Sequence, residues 1–397
     1  MAVAALHRLW RGLPQGPRRH LLATGTGWLA PRPTQPPPAC RIGAAVVGEL
    51  SRASGLGESA RLHLAALDAL HVPHWRTDQA TPPPGVPLIL HTNAAIPALE
   101  MLRLGRHLVQ DRRIVGVWPW ELQSVPASWR AGFDYVHEVW APSHFSAAAV
   151  RAAAPPHWDP ARIRVVPHPV ACQPSVLAPL DRSALGLPPD APPCAIITLA
   201  VVNLASAFTR KNPLGAIEAH RRAFGSRPDR ILLLRIGNPG HAPADFAQLQ
   251  NAALPNVILD TTTRPREDAR AAMAAADIVL SLHRSEGFGL VPAEAMLLGK
   301  PVILTAWSGT EDFATDASTV RIPYRLVPAI DPRGVFAAPG AEWAEPDLDA
   351  AAAALVHLAE SPDLRLQLGT AGRAAAAALD ATPLAHALRS LGLDVSA

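Results

Sequence analysis

The stretch Ser281-Leu-His-Arg-Ser-Glu-Gly-Phe-Gly-Leu-Val-Pro-Ala-Glu-Ala-Met296 places two glutamates, eight positions apart, around a Gly-Phe-Gly turn. An apolar run short enough for a buried strand begins just upstream at Asp277, and a helical pattern begins near Pro292, with proline in its first turn. In an open parallel sheet such a junction lies at the carboxyl end of a strand, where ligands bind and a helix start presents free N–H groups to a phosphate. We therefore expect Glu286 at the mouth of a ligand site and Glu294 in the first turns of the helix.

The rest of the chain alternates between strand and helix patterns, which is the order that parallel sheets require. Apolar runs predict strands at residues 42–47, 88–90, 114–117, 139–141, 195–202, 231–235 and 257–259. Helices are predicted at residues 58–70, from 143 to 153 with Ser143 as the cap, from 213 onward, at 268–275 and in the alanine-rich segment 348–391. The sequence therefore predicts the α/β class.

Proline-rich sequence between Pro167 and Pro193 interrupts this alternation and marks a domain boundary. At 397 residues and 49% apolar content, the chain can bury two cores of ordinary domain size. We expect a basic, proline-rich tail at 1–40, a first domain at 41–175, a second domain at 176–375 and a final helix at 376–397.

The positive charge of the chain is concentrated in its first 40 residues. The net charge is +3, but residues 1–40 contain five arginines and no acidic residue, so subtracting these five leaves −2 for the remainder. A basic patch for nucleic acid is therefore not expected on the folded body. The tail is expected to be disordered or to precede the true start, with contact to an anionic membrane surface as the alternative. No later segment has the apolar length that spans a bilayer.

The three cysteines, Cys40, Cys172 and Cys194, have no metal-ligand spacing and form no even-numbered framework. They favour a reducing cytoplasm. Lysine occurs only at Lys211 and Lys300, and both lie inside sequence blocks that are informative about function.

Further blocks accompany the two-glutamate stretch. They are Trp118-Pro-Trp-Glu-Leu, Glu138-Val-Trp-Ala-Pro-Ser-His-Phe, Val166-Pro-His-Pro-Val, Arg210-Lys-Asn-Pro, Gly299-Lys-Pro-Val-Ile, Ser308-Gly-Thr-Glu-Asp-Phe, Tyr324-Arg-Leu-Val-Pro and Trp343-Ala-Glu-Pro-Asp. Together they resemble the pattern of glycosyltransferase family 4, from about Arg41 to about Leu368. The resemblance implies the GT-B architecture, with two Rossmann-like parallel-sheet domains that face a central cleft and a last helix that crosses back to the first domain. It also implies a nucleotide-sugar donor and retention of anomeric configuration.

The resemblance implies catalytic and donor-binding roles for four charged residues. Lys211 and Arg210 precede a helix, so cationic side chains and a positive helix end are expected to clamp a diphosphate, although such a pair on an ordinary surface is simply solvated. Many relatives carry a further arginine where this chain has Leu204-Ala-Ser-Ala-Phe, and Arg210 is its candidate substitute. Glu286 is expected to face the donor sugar, and Glu294 to bind the ribose hydroxyls.

The other donor contacts implied by the resemblance come mainly from the backbone. They are Gly55, Gly57, Gly287, Phe288, Gly289 and Leu290, together with the side chain of Glu311. Glycines near the first helix let the main chain approach a phosphate closely, but a plain strand-to-helix turn also explains them. Glu311 is either a donor contact or a helix cap.

Candidate acceptor or sugar contacts lie in the first half. Many relatives have a His-x-His pattern near the sugar, and here its second position is Asn93, so a histidine role falls to His91. Glu121 is the competing candidate. Trp118 and Trp120 either stack on sugar rings or belong to the core.

The expected chemistry follows from charge. Breaking the anomeric bond of a nucleotide sugar develops positive charge on the ring and negative charge on the diphosphate, so cations belong at the phosphate and a carboxylate near the sugar. No cofactor or metal is expected, because the clamp is already cationic, and the Asp347-Leu-Asp349 motif is read as a helix cap. The acceptor is expected to be a carbohydrate or lipid-linked hydroxyl group, in surface polysaccharide synthesis.

Three other functions fit these residues less well. A sugar-nucleotide epimerase shares the two-domain fold but is not expected to carry these blocks. A non-catalytic sugar-nucleotide-binding protein is disfavoured by the intact Glu286, Glu294 and Lys211. A dinucleotide dehydrogenase is disfavoured because no Gly-x-Gly-x-x-Gly with a following acidic residue opens the first unit.

Overall fold

The computed structural model describes residues 25, 27–52, 54–94, 97–174, 177–188, 191–206, 208–336, 338 and 340–395. These residues form two six-stranded parallel sheets, one antiparallel hairpin and the helices that cover them. The expected α/β class is confirmed.

The first sheet is built from the first half of the chain. Its strands are β1 (Ala44–Val47), β2 (His74–Arg76), β3 (Leu88–His91), β4 (Ile114–Val117), β5 (Glu138–Ala141) and β6 (Ile163–Val165), in the order β2-β1-β3-β4-β5-β6. The helices of this half are α1 (Gly55–Ala69), α2 (Pro97–Leu104), α3 (Arg106–Val109) and α4 (His144–Ala153). Strands β1, β3, β4 and β5 are buried along their whole length, as expected for a parallel sheet covered on both faces.

The second sheet contains β7 (Ile196–Asn203), β8 (Arg230–Gly237), β9 (Val257–Asp260), β10 (Ile278–Ser281), β11 (Val302–Thr305) and β12 (Val320–Ile322). Its helices are α5 (Phe208–Lys211), α6 (Pro213–Phe224), α7 (Pro243–Ala252), α8 (Arg266–Ala275) and α9 (Leu290–Leu297). The strand order is β12-β11-β10-β7-β8-β9, so the direction of winding reverses between β7 and β10. Ligands bind at such a reversal, outside the carboxyl ends of the strands.

A hairpin that the sequence analysis missed connects the two halves. Strands β13 (Tyr324–Pro328) and β14 (Glu342–Pro346) pair antiparallel. Phe336, near the tip, and Trp343 are buried in the core of the first half, where the ring of Phe336 lies 5.5 Å from that of Trp120. This part of the expected second domain therefore packs on the first.

The chain ends in α10 (Leu348–Glu360), α11 (Pro362–Ala377) and α12 (Thr382–Ser390). Leu384 and Leu388 of α12 share a core with Val46 of β1 and Trp140 of β5. The last helix therefore packs on the first sheet. Short 3-10 turns complete the fold at Ala127–Tyr135, Pro160–Arg162, Val170–Cys172, Arg182–Leu185, Pro239–His241 and Ser308–Asp312.

The structure describes part of the segment 1–40, for which the sequence predicts a tail. Residues 1–24 and 26 lie outside the described residues. The segment 27–40, however, packs on the first half: Ala30 is buried in the core, the Tyr135 hydroxyl donates to the Gly27 carbonyl at 3.1 Å, and His137 Nε2 donates to the Thr34 carbonyl at 2.9 Å. These hydrogen bonds to backbone carbonyls hold the segment on the first half, and composition does not reveal them.

Within the described part of the chain, no helix has the length and apolar character needed to cross a membrane.

Candidate active site

The loops that follow β7 and β10 bring the cationic block and the glutamate block together. After β7 the chain forms α5, which ends in Arg210 and Lys211, and enters α6 through Asn212. The Asn212 side chain accepts the Gly215 N–H at 3.2 Å, which caps α6, and donates to the Leu282 carbonyl of the β10 loop at 3.0 Å. One side chain therefore fixes both loops.

Glu286 lies at the centre of a buried ion network. Lys211 Nζ is 2.5 Å from one of its carboxylate oxygens, and Arg210 Nη1 is 3.2 Å from the other. Arg210 also reaches Glu121 of the first half, with Nη2 3.4 Å from Oε1, and donates to the Ser285 carbonyl at 2.6 Å. Glu286 is 6% exposed and Arg210 is 3% exposed. The expected catalytic residues thus meet at one point, where their charges compensate one another.

The network sets opposite pKa shifts on its two carboxyl groups. Burial alone would raise the pKa of Glu286, but the positive charges of Lys211 and Arg210 outweigh it and lower the pKa to about 2. Burial raises the pKa of Glu121, with Arg210 opposing and Glu286 adding to the rise. Glu286 is therefore ionised at neutral pH.

The glycine turn places backbone donors beside this network. Gly289 has φ +99° and opens α9 at Leu290, and among the described residues no side chain caps this helix start. Its first N–H groups are therefore open to a ligand. The side chain of Phe288 is buried, which leaves its backbone as the candidate donor contact. At Gly309 a Cβ would lie 2.5 Å from the Gly287 carbonyl oxygen, so only glycine allows this approach.

Glu294 belongs to a second polar group that spans the two halves. Its Oε1 lies 3.4 Å from Gln173 Nε2, and Gln173 Oε1 accepts from Arg266 at 2.5 Å. Arg266 also forms an ion pair of 2.5 Å with Glu58, in the first turn of α1. Burial and the neighbouring Glu58 raise the pKa of Glu294 to about 7. Near neutral pH, Glu294 can therefore both donate and accept hydrogen bonds.

The turn that contains Gly55 and Gly57 is compact. The Gly57 N–H donates to the Ser54 side chain at 3.1 Å, which caps α1. A Cβ at Gly57 would lie 2.6 Å from the carbonyl oxygens of Glu49 and Arg52, whereas no described atom lies within 4 Å of a Cβ placed at Gly55. Local packing alone thus explains glycine at position 57, while Gly55 faces open space.

His91 forms part of a buried histidine cluster with His63 and His168. His91 Nε2 lies 2.8 Å from His63 Nδ1, and Ser59 Oγ lies 2.9 Å from His91 Nδ1 and 3.2 Å from His168 Nδ1. Burial, together with the two neighbouring histidines, holds the pKa of His91 well below its ordinary value. Both ring nitrogens of His91 are thus engaged. A sugar contact by His91 would require one of these bonds to open.

This cluster is expected to make stability fall as the pH drops from about 6.5 to about 4. Burial lowers the pKa of His63 to about 4 and that of His168 to about 3, so in this window the unfolded chain binds more protons than the folded one. The free energy of unfolding, measured in urea across this range, should therefore decrease toward acid. His63→Gln should flatten the slope, while the exposed His107→Gln should not. An unchanged slope in His63→Gln would contradict the assignment.

The two tryptophans lie in the core of the first half. Trp118 is fully buried and Trp120 is 4% exposed. The ring of Trp120 lies 4.7 Å from that of Trp129, and its Nε1 donates to the Ser124 carbonyl at 2.8 Å. This packing fits the interpretation that the two tryptophans belong to the core, rather than stacking on sugar rings.

The described ion pairs of Glu286, Arg210, Lys211 and Glu121 do not include Asn93 or Glu311. Asn93 is exposed beyond the end of β3. Glu311 lies in the turn Ser308–Asp312 and pairs with Arg321 of β12. Burial raises the pKa of Glu311, and Arg321 opposes the rise. The charge of Glu311 is therefore compensated within the second half.

The sequence analysis missed the residues of the first half that contact the glycine turn. The pattern assigns Ser143 only a capping role and gives Ser146 none, yet both hydroxyls reach the Gly287 carbonyl. The backbone of His144 also bonds the carboxylate of Asp312. The block Glu138-Val-Trp-Ala-Pro-Ser-His-Phe is the sequence feature that could have pointed to these residues. The sequence does not show, however, which part of the second half the start of α4 contacts.

The second half of the chain is similar in sequence to a known family. Residues 199–374 match the family model of glycosyl transferases group 1. The matched segment runs from β7 into α11 and contains Lys211, Glu286 and Glu294. A comparison with curated proteins finds no match.

Solved structures share the fold across both halves. HepE from Anabaena, in complex with UDP and glucose, is similar at a TM-score of 0.60 and 15% identity, with 88% of this chain and 100% of that chain covered. A glycosyltransferase from Rickettsia africae aligns at a TM-score of 0.58 and 15% identity, covering 88% and 97%. WaaG, a glycosyltransferase involved in lipopolysaccharide biosynthesis, aligns at a TM-score of 0.56 and 19% identity, covering 87% and 98%.

The GT-B architecture expected from the sequence is thereby confirmed. The family match and the shared fold together support a GT-B glycosyltransferase.

Proposed function

We propose that the chain is a retaining glycosyltransferase of the family 4 type, which moves a sugar from a nucleotide-sugar donor to a hydroxyl group of a glycan or lipid-linked acceptor. The observation that carries the proposal is the meeting of Lys211 and Arg210 with Glu286, beside the uncapped start of α9. Cations, a carboxylate and free N–H groups are the parts that cleavage of a glycosyl–phosphate bond requires.

The cations and the helix start are assigned to the diphosphate. Lys211 is partly exposed and Arg210 is buried, so a diphosphate would meet Lys211 first and a fixed guanidinium behind it. Both are paired with Glu286. An entering diphosphate would therefore compete with the Glu286 carboxylate for the same two side chains.

Glu286 is assigned to the sugar ring. A group whose pKa is about 2 is ionised at neutral pH, which makes it a poor proton acceptor, and its negative charge faces the ring once the diphosphate takes the two cations. That potential stabilises a ring that becomes cationic. The acceptor hydroxyl is proposed to attack from the side of the leaving group and to lose its proton to the departing phosphate, so no dedicated base is required.

The donor is proposed to be a nucleoside diphosphate sugar, with a UDP-sugar as the first to test. HepE is seen with UDP and with UDP-glucose. Glu294, whose pKa is raised to about 7, suits ribose hydroxyls, which offer both donors and acceptors. An acceptor in surface polysaccharide synthesis, a cytoplasmic location and peripheral contact with the membrane are also part of the proposal.

No metal is proposed, since Lys211 and Arg210 supply the positive charge. Among the described residues, no group of three histidine, cysteine or acidic side chains is arranged to hold a metal ion. Asp347 caps α10, as expected, by accepting the N–H groups of Asp349 and Ala350 at 2.9 and 3.0 Å.

Transfer of radiolabelled sugar from a panel of nucleotide sugars tests the proposal, with donor hydrolysis as the readout where no acceptor is known. Release of nucleoside diphosphate and a product that keeps the donor's anomeric configuration are expected, at a rate that EDTA leaves unchanged. An inverted product would contradict retention. A new nucleotide sugar formed without acceptor would indicate an epimerase, and binding without turnover a non-catalytic protein. Loss of activity in EDTA, restored by magnesium or manganese, would overturn metal independence.

A further inference from the structure

The first turn of α4, in the first half, is built against the loop that carries Glu286. Ser143 Oγ donates to the Gly287 carbonyl at 2.6 Å. Ser146 Oγ shares its one hydrogen between the Trp120 carbonyl oxygen at 2.6 Å and the same Gly287 carbonyl oxygen at 3.0 Å. Both serines are completely buried. Two hydroxyl groups from one half of the molecule therefore converge on a single peptide of the other half.

A third contact fixes the direction of the same helix turn. The His144 N–H donates to Asp312 Oδ2 at 2.7 Å, so a carboxylate of the second half lies at the positive end of α4. Ser143 meanwhile caps the helix from within, by accepting the Ser146 N–H at 3.1 Å. The helix start is thus held in one orientation toward the glycine turn.

The carbonyl that the serines contact belongs to a functionally placed peptide. In a trans peptide the Gly287 C=O and the Phe288 N–H point in opposite directions. Fixing the carbonyl on α4 therefore fixes the direction of the Phe288 N–H. A hydrogen bond accepted by the carbonyl also polarises the peptide and strengthens its N–H as a donor.

The neighbouring peptides are held from within the second half. The Glu286 N–H donates to Ser308 Oγ at 2.8 Å, and the Gly309 N–H donates to the Glu286 carbonyl at 2.9 Å. Only the Gly287–Phe288 peptide of this turn takes its described partners from the first half. The orientation of the Gly287–Phe288 peptide therefore depends on contact between the two halves.

We propose that Ser143 and Ser146 are positioning residues for transfer, through which contact between the two halves orients and polarises the Gly287–Phe288 peptide toward the donor. The proposal rests on the function proposed above. Neither serine is proposed to contact the substrate. The serines act on the transition state through the peptide, and the donor's nucleotide is bound by other residues of the second half.

Ser146→Ala is the decisive variant, because it removes one hydroxyl and leaves the Ser143 cap and the helix backbone in place. We expect kcat to fall roughly tenfold or more, as for loss of one oriented donor, with the affinity for nucleoside diphosphate within about twofold of wild type. Ser390→Ala is the control for loss of a serine hydroxyl, since the hydroxyl of the exposed Ser390 also donates to a backbone carbonyl, that of Ala387 at 2.7 Å at the end of α12. It should leave kcat unchanged.

Substitutions at Ser143 separate capping from donation. Ser143→Thr and Ser143→Asp both retain a capping oxygen, but only threonine retains a hydroxyl that can donate to the Gly287 carbonyl. Ser143→Thr should keep most of the wild-type kcat, and Ser143→Asp should lose it at similar helix content. Equal loss in both variants would overturn the proposal.

The Phe288 amide gives a readout that does not need turnover. In protein labelled with 15N-phenylalanine, Ser146→Ala should shift the resonance of the Phe288 amide proton upfield. The reason is that the Gly287 carbonyl of the same peptide then accepts one hydrogen bond fewer, so the peptide is less polarised. A wild type that transfers sugar, with Ser146→Ala equally fast or with the Phe288 amide unmoved, would overturn this inference alone. A wild type that neither transfers nor hydrolyses any donor would overturn the proposed function and this inference with it.

Discussion

Glu286→Gln is expected to lower the rate of sugar transfer by about a hundredfold or more, with the affinity for nucleoside diphosphate retained or increased. The carboxylate charge matters most when the sugar ring becomes cationic, so its loss falls on the transition state. In the structure Glu286 pairs with Lys211 and Arg210 at 2.5 and 3.2 Å, and a neutral amide competes less well than a carboxylate with a diphosphate for these cations. Steady-state kinetics and calorimetric titration with nucleoside diphosphate measure the two effects separately.

Glu138→Gln provides a matched control for this variant. Glu138 is also buried, at 2% exposure, and pairs with Arg164 at 2.7 Å, but it lies in β5 away from the ion network. Glu286→Gln weakens the pairing of the buried Arg210, and Glu138→Gln weakens the acceptor of the buried Trp140 indole N–H, so both variants should lose thermal stability. Only Glu286→Gln should lose turnover. A Glu286→Gln enzyme that transfers at the wild-type rate would refute the assigned role.

The elements of the fold that local sequence determines could be predicted. The run 114–117 is β4, the helix expected from Pro213 is α6, and Ser143 caps α4 as its position indicates. Strands β2, β6 and β12 have three residues each, which is too few for a sequence pattern to identify them. The β13–β14 hairpin was missed for a similar reason, since Trp343 is buried by the first half rather than by its own strand neighbours.

In the candidate site, too, local sequence predicts some features, while others depend on contacts between distant parts of the chain. Contiguous blocks identify Arg210, Lys211 and Glu286, because spacing and residue type carry the chemistry. The pairing of Lys211 with Glu286 joins side chains 75 positions apart and depends on how two loops meet, which neither block specifies. The sequence predicts Glu286 at the mouth of a ligand site, but it does not show that the carboxylate is buried among its partners. The contact of Ser146 with Gly287 joins the two halves and has no local signature.

Lys211→Ala is expected to weaken nucleoside diphosphate binding by about tenfold and to lower kcat/KM by about a hundredfold or more. The diphosphate is charged in the ground state and more so in the transition state, so binding and turnover should fall together. A second consequence follows for Glu286. Of the two positive charges that lower the pKa of Glu286, that of Lys211 has the larger effect. Lys211→Ala should therefore raise the pKa of Glu286 and move the acid limb of the pH–rate profile to higher pH.

Lys300→Ala is the control that the sequence itself offers, because Lys211 and Lys300 are the only lysines of the chain. The same pair allows a direct test of occupancy. Amine-selective labelling, read by mass spectrometry, should modify Lys211 more slowly when nucleoside diphosphate is bound, while labelling of Lys300 stays constant. Protection of Lys211 with unchanged kinetics in Lys211→Ala would show contact without catalytic effect. Unchanged binding, labelling and kinetics together would remove the diphosphate clamp from the mechanism, and with it the charge separation on which the proposed transfer depends.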